Sequence, residues 1–316
     1  MRYAMTGATG FLGGALARML VEDGHDVAAL VRRPEAAGDL RDLGVSMVPG
    51  DLDDTAALDG LLDGADGFFH VAGWFRFGRR ETDLLHRVNV QGTRNALEAA
   101  LRAGGVRTVY TSTTAINSDT RGKVVDETYR FTGTHLNDYD RTKALAHDVA
   151  LGYVERGLPV VMVQPSVIYG PGDTSVVGEI SRRIAAGKRV LGPKGGGVCW
   201  VHVDDVAAGH VLAIEKGAPG ESYLLCGEPV TFDEAFAQLA ELTGGRNPLL
   251  VPAGLVRTMA RMNGLLERVV RLPQDFTRDA MVAATATYYG DSTKARRELG
   301  WAPRTREAGF TETFGG

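Results

Sequence analysis

The chain has 316 residues, a formal net charge of −4, 44% hydrophobic residues and 41 glycines. Glycine at roughly 13%, against ~7% in average usage, follows no collagen-like period, so disordered and fibrous classes are excluded and tight turns or close backbone–ligand contacts are expected. No long basic run is present, which argues against nucleic acid as the main partner, and two cysteines (Cys199 and Cys226) are too few for a disulfide framework or a zinc cage.

In chain order, short apolar runs at 3–5, 26–31, 45–48, 67–71, 106–111 and 160–163 read as strands. Helical spacing occupies 11–21 and stretches near 54–62, 83–103 and 139–156. Apolar strands alternating with amphipathic helices predict an α/β fold, a doubly wound parallel sheet covered on both faces. Past Pro165 the regularity weakens. Residues 192–197 (Gly-Pro-Lys-Gly-Gly-Gly) read as a flexible loop, 199–203 as a strand, and 204–215, 231–243 and 292–299 as helices. The expected division is a dinucleotide-binding domain over 1–165, to which about 198–215 return, and a smaller helix-rich substrate lobe over 166–316. No apolar run reaches the ~20 residues of a membrane span. No secretory leader is read at the N-terminus, and the expectation is a cytoplasmic protein with no membrane partner.

Residues 6–13, Thr-Gly-Ala-Thr-Gly-Phe-Leu-Gly, place Gly7, Gly10 and Gly13 between the first strand and the first helix. Gly7 permits the turn, Gly10 admits a pyrophosphate, and Gly13 lets helix meet strand, while the helix N-terminus offers N–H groups to the anion. After the second strand stand Arg32 and Arg33, with no carboxylate until Glu35. An acid there would take the ribose 2′-OH of NAD, whereas two guanidinium groups suit the 2′-phosphate of NADP. NADP(H) is therefore preferred, with NAD(H) possible; otherwise these are two solvated arginines opening a helix. Asp51 and Leu52, after the third strand, can meet the adenine, or Asp51 or Asp53 caps the next helix.

Tyr139 and Lys143 stand at i and i+4, on one helix face. A phenol with an unperturbed pKa near ~10 needs a neighbouring cation to act as an acid–base group at neutral pH, and Lys143 supplies one. Thr111, Ser112, Thr113 and Thr114 lie at a strand's C-terminal end, where a hydroxyl can bind a substrate carbonyl.

In these motifs the chain resembles the extended short-chain dehydrogenase/reductases of the NAD-dependent epimerase/dehydratase family. Residues 6–13, Asp51-Leu52, Val71-Ala72-Gly73, Asn89-Val90-Gln91-Gly92-Thr93, Ser112-Thr113, Tyr139 to Lys143, Pro165 with Tyr169-Gly170-Pro171-Gly172, and Val201-His202-Val203-Asp204-Asp205 carry the likeness in the family's order. The resemblance implies a Rossmann-type sheet, Thr113 as the catalytic hydroxyl with Ser112 or Thr114 left open, Tyr139 as general acid/base, and Lys143 on the ribose. It also implies a cofactor site at Gly7, Thr9, Gly10, Phe11, Leu12, Arg32, Arg33, Asp51 and Leu52. Val71, Ala72, Gly73, Asn89, Tyr139, Lys143, Pro165, Val167 and Ile168 complete that site. His202 and Asp204 read as structural, and no metal is expected.

His70 to Phe77, His-Val-Ala-Gly-Trp-Phe-Arg-Phe, is similar to the corresponding segment of dihydroflavonol-reductase-like members, and Trp74, Phe75 and Phe77 can wall a pocket for a cyclic ketone. The pyrophosphate-binding arginine of sugar-nucleotide enzymes is missing before Val201. The expected reaction is thus NADP-dependent reduction of a ketone or aldehyde, or the reverse, on a small-molecule substrate. A nucleotide-sugar 4-epimerase or dehydratase with bound NAD is the alternative, and a non-catalytic NADP-binding sensor ranks below it. A homodimer through the helices near 83–103 and 139–156 is also implied. Leu255, Met259, Met262, Leu265 and Leu266 form a stripe at helical spacing that reads as core or as a dimer face rather than as a membrane anchor, and Tyr288 and Tyr289 are further candidates at the pocket.

Overall fold

The computed structural model describes residues 1–78 and 81–315. The first half alternates β1 (Arg2–Thr6), α1 (Phe11–Glu22), β2 (Asp26–Val31), α2 (Gly38–Asp42), β3 (Ser46–Pro49), α3 (Thr55–Leu62), β4 (Gly67–His70), α4 (Thr82–Leu85), α5 (Gly92–Arg102), β5 (Thr108–Thr111), α6 (Asp138–Glu155) and β6 (Val160–Pro165). The second half runs β7 (Val167–Tyr169), α7 (Val176–Ala185), β8 (Leu191–Lys194), β9 (Gly197–His202), α8 (Val203–Lys216), β10 (Ser222–Leu225), β11 (Pro229–Thr231), α9 (Phe232–Thr243), β12 (Leu249–Pro252), α10 (Ala253–Leu266), α11 (Arg278–Ala283), β13 (Thr287–Tyr288) and α12 (Arg306–Phe314).

The main sheet has seven strands in the order β10-β6-β5-β4-β1-β2-β3, and every pairing in it is parallel. Strands β4, β5 and β6 are buried along their whole length, as expected of apolar strands covered on both faces. On one face α1 and α8 pack together, with Leu12, Leu16, Leu20, Val206 and Ala207 in the core. On the other face α3, α5 and α6 contribute Leu58, Leu61, Leu97, Ala146 and Tyr153. Each fully buried leucine among them is worth about 1.5–3 kcal/mol. The strand order reverses between β1 and β4, and the strand C-termini at such a switch point are where ligands bind in sheets of this kind.

Strand β10 joins the sheet beside β6, and Ala295, Leu299 and Trp301 enter the same core as α1. More of the late chain thus packs with the sheet than residues 198–215. A smaller sheet sets β9 antiparallel to β11 and parallel to β7 and β13. Residues 192–197 are not the flexible loop that their glycines suggest. Leu191–Lys194 pairs in parallel with Leu249–Pro252, and Gly196, at φ 67°, sits where a Cβ would lie 2.2 Å from the Ala284 carbonyl oxygen. Cys199 and Cys226 are free and buried. Among the described residues no helix is long and apolar enough to cross a membrane.

Candidate active site

The phosphate loop follows from the absence of side chains. A Cβ on Gly7 (φ 80°) would lie 2.6 Å from the Ala72 nitrogen, and one on Gly13 would lie 2.0 Å from the Gly7 oxygen. Backbone therefore touches backbone at both points. Gly10 is the N-cap of α1 and no side chain caps the helix, so its first turn faces outward with Thr9 and Gly10 exposed. Phe11 and Leu12 open the helix, Leu12 buried beneath it. This exposed, uncapped N-terminus fits the pyrophosphate of a dinucleotide.

The tips of β1 and β4 are pinned below that loop. His70 Nδ1 lies 2.7 Å from Thr6 Oγ1, its Nε2 lies 3.0 Å from Thr93 Oγ1, and the Ala72 N–H donates to Thr6 Oγ1 at 3.3 Å. Burial, with the Lys143 charge second, lowers the His70 pKa to about 3, so the ring is neutral. Next to it, Val71, Ala72 and Gly73 form the loop that leaves β4. Asn89 holds this loop by both ends of its amide: Oδ1 accepts from the Trp74 N–H at 2.7 Å, and Nδ2 donates to the Trp74 carbonyl at 3.1 Å. The same Nδ2 reaches Thr142 Oγ1 at 3.2 Å, tying the loop to α6. Asn89 lies in a π-helical turn, His86–Gln91, a distortion that re-aims side chains at functional sites.

Arg32 and Arg33 leave the end of β2 exposed, and neither has an ion-pair partner among the described residues. Asp51 closes its own turn, accepting from the Asp53 N–H at 2.9 Å. Neither Asp51 nor Asp53 caps α3. That place belongs to Asp54, directly before the first helical residue, whose carboxylate accepts from the Ala57 N–H at 3.0 Å, while Asp53 pairs with Arg87. Leu52 packs over Gly92, and its carbonyl accepts from Asn95 at 2.8 Å.

Helix α6 starts at a cap in which Asn137 accepts from the Asp140 N–H at 2.8 Å, and it carries Tyr139 and Lys143 one turn apart. Burial drives the Tyr139 phenol's pKa upward, and the Thr113 hydroxyl beside it pulls it partly back. Lys143 is buried, donates to the Thr111 carbonyl at 2.8 Å and to the Tyr110 hydroxyl at 3.1 Å, and has its pKa lowered to about 7 by burial. Of the three candidate hydroxyls, Ser112 is engaged with His147 Nδ1 at 3.0 Å, and Thr114 is buried in a short helical turn. The Phe75 ring meets Tyr139 edge-on at 4.8 Å between centroids, with Phe77 at 6.3 Å, although Phe75 is 52% exposed. Trp74 turns away, its indole N–H donating to Glu81 at 3.0 Å.

Pro165 ends β6, and Val167 and Ile168 are half-buried in β7. His202 caps α8, accepting from the Asp204 N–H at 3.3 Å. Two site groups, Tyr110 and His147, are absent from the sequence reading, and Tyr288, named there without a place, has one here. Tyr110 seats Lys143 from the preceding strand residue, and His147 occupies Ser112. Tyr288 donates to the buried Asp140 carboxylate at 3.1 Å, while burial raises the Asp140 pKa to about 7. His147 could be read from the i+8 continuation of the Tyr139 face; the Tyr288–Asp140 bond spans 148 residues of chain and leaves no local signal. Tyr289 instead packs with Cys199, Leu224 and Cys226.

The loop after β1, the loop after β4, the hydroxyls after β5 and the Tyr139 face of α6 thus stand at one end of one parallel sheet. The model of the NAD dependent epimerase/dehydratase family matches residues 3–226. The chain is similar to sterol demethylase protein B of Methylococcus capsulatus, 36% identical over 99% of this chain and 97% of that protein. It is 34% identical, over 94% and 89% of the two chains, to a Synechocystis protein with dihydroflavonol 4-reductase in its name. Among solved structures, the crystal structure of gox2253 superposes with a TM-score of 0.84 at 32% identity, covering 99% of this chain and 96% of the other. The chain belongs to the NAD dependent epimerase/dehydratase family, the extended short-chain dehydrogenase/reductases.

Proposed function

We propose that the protein is an NADP-dependent oxidoreductase that reduces a ketone or aldehyde to an alcohol, or runs the reverse. The observation that carries this reading is the Tyr139 phenol set beside the Thr113 hydroxyl, rimmed by Phe75 and Phe77 and one helical turn from Lys143. A nicotinamide dinucleotide held by residues 7–12, Asp51, Leu52, residues 71–73, Asn89, Pro165, Val167 and Ile168 supplies or accepts the hydride. Arg32 and Arg33, exposed and without an ion-pair partner among the described residues, take its 2′-phosphate by charge-assisted bonds.

Burial raises the Tyr139 phenol pKa where the sequence predicts that Lys143 lowers it, so at neutral pH the proton is there to donate, and positive charge near the phenol is still needed to ease its release. Tyr139 donates that proton to the carbonyl oxygen as negative charge grows there, and Thr113 orients the same oxygen. Lys143, with its pKa near neutrality, binds ribose and restores the proton to Tyr139. Phe75 and Phe77 give the site an apolar wall, suited to a hydrophobic carbonyl compound. A Synechocystis relative carrying reductase in its name supports this direction.

A panel of ketones, aldehydes and UDP-sugars with NADPH and NADP tests the reading. Oxidation of NADPH by a ketone or aldehyde is expected. Isomerisation of a UDP-sugar without net change in the cofactor would overturn it.

A further inference from the structure

Helix α10 turns its apolar stripe outward. Val256 and Ala260 bury against Met281, but Leu255 (53%), Met262 (62%), Leu265 (62%) and Leu266 (50%) are exposed. Positions 255, 262, 266 and 269 share one side of the helix path. Val269 (80%), Val270 (53%) and Phe276 (43%) continue the apolar surface beyond the helix end. Of the five stripe residues only Met259 packs against that cluster, so the rest are not core, contrary to the first of the stripe's two sequence readings. Exposed apolar side chains gathered in this way mark an interaction site.

The charge around the stripe selects the partner. Residues 253–276 carry Arg257, Arg261, Arg268 and Arg271 against two carboxylates, the buried Glu267 and the exposed Asp275, on a chain whose net charge is −4. Arg257 is used internally, donating to Thr285 Oγ1 at 3.2 Å. Arg261, Arg268 and Arg271 have no side-chain partner among the described residues. A second copy set face to face would oppose these guanidinium groups to one another, which disfavours self-association here. An anionic phospholipid surface satisfies both parts, taking the leucines and valines into its acyl boundary and the guanidinium groups to its phosphates.

The face is also joined to the candidate active site. Gln274 accepts from the Phe77 N–H at 2.9 Å and donates to the Phe77 carbonyl at 3.0 Å, clamping the segment after α10 to the loop whose aromatic rings pack on Tyr139. We propose that the face formed by α10 and residues 267–276 docks the protein on an anionic phospholipid membrane surface. Docking of this kind needs no spanning helix.

Co-sedimentation of the full chain with vesicles of phosphatidylcholine alone, or mixed with phosphatidylglycerol, tests this. Binding to the mixed vesicles only, weakened by salt, is expected. Each arginine near such a surface contributes about a fivefold factor, so Arg261→Glu/Arg268→Glu/Arg271→Glu should weaken partitioning by about a hundredfold or more. Leu265→Gln/Leu266→Gln should weaken it as well, and thermal unfolding of each variant shows that the fold persists. No binding to the mixed vesicles, or binding that neither variant changes, would overturn the proposal. So would a dimer in sedimentation velocity that Leu265→Gln/Leu266→Gln dissociates, because the face would then belong to a second copy.

Discussion

Lys143 Nζ donates to the backbone carbonyl of Thr111 at 2.8 Å, so the α6 ammonium is seated on the strand that ends in the candidate hydroxyls. Burial brings its pKa from 10.5 to about 7. The unfolded chain keeps that proton up to about pH 10.5, whereas the folded chain releases it near 7. Between these values the unfolded state binds more protons, and stability rises with pH. Comparing wild type with Lys143→Met isolates the effect. The stability difference should move in favour of the wild type by up to about 1.4 kcal/mol per pH unit between pH 7 and 10. Urea titrations across that range measure it, and a flat difference would show that the ammonium is not desolvated.

The hydroxyl assignment separates by variant. Thr113→Ala should lower kcat by about 10²–10³ if its hydroxyl orients the developing oxyanion, and Thr113→Ser should restore most of it. Ser112→Ala breaks the bond to His147 and should cost about 1 kcal/mol of stability, with kcat nearly kept. Tyr139→Phe should lose about 10²–10⁴ in turnover and retain NADPH affinity. Near-normal turnover in Tyr139→Phe would remove the phenol from the mechanism.

The cofactor preference rests on two exposed side chains. Arg32→Ala/Arg33→Ala should weaken NADPH binding by about 10–100-fold and leave NADH binding unchanged, since only the 2′-phosphate meets the guanidinium groups. Fluorescence titration of both cofactors reads this. Tighter NADH than NADPH binding by the wild type would reverse the preference.

The sheet and its phosphate loop were legible because their determinants are local. The run at 26–31 coincides with the observed strand, and Gly7, Gly10 and Gly13 sit at their turn. Tyr139 and Lys143 share a helical turn as their spacing requires. What was illegible depends on distant chain. Residues 192–194 become a strand because Leu249–Pro252 pairs with them, and Asp140 is held by Tyr288. The stripe of α10 shows the limit of periodicity itself. Helical spacing sets which residues share a face, and only the packing of Val256 and Ala260 against Met281 decides which face is buried.

Three buried histidines make the fold sensitive to acid. Burial lowers His70 to about 3, and His147 and His210 to about 4, from an unfolded value of 6.5. For His210 the proton's place follows from its partners. The Val206 carbonyl, 2.8 Å from Nδ1, can only accept, so Nδ1 carries the hydrogen and Nε2 accepts from Thr111 Oγ1 at 2.8 Å. Each depressed histidine contributes stability that is present above pH 6.5 and lost as pH falls toward its folded value, about 2 kcal/mol each by pH 5. Asp140, raised to about 7, works in the opposite sense over the same range, because the folded chain holds its proton. At pH 5 these four groups together make unfolding take up about two protons. His210→Gln should reduce that uptake by about one, measured as the slope of stability against pH between 5 and 6. An unchanged slope would mean that His210 is charged in the folded protein.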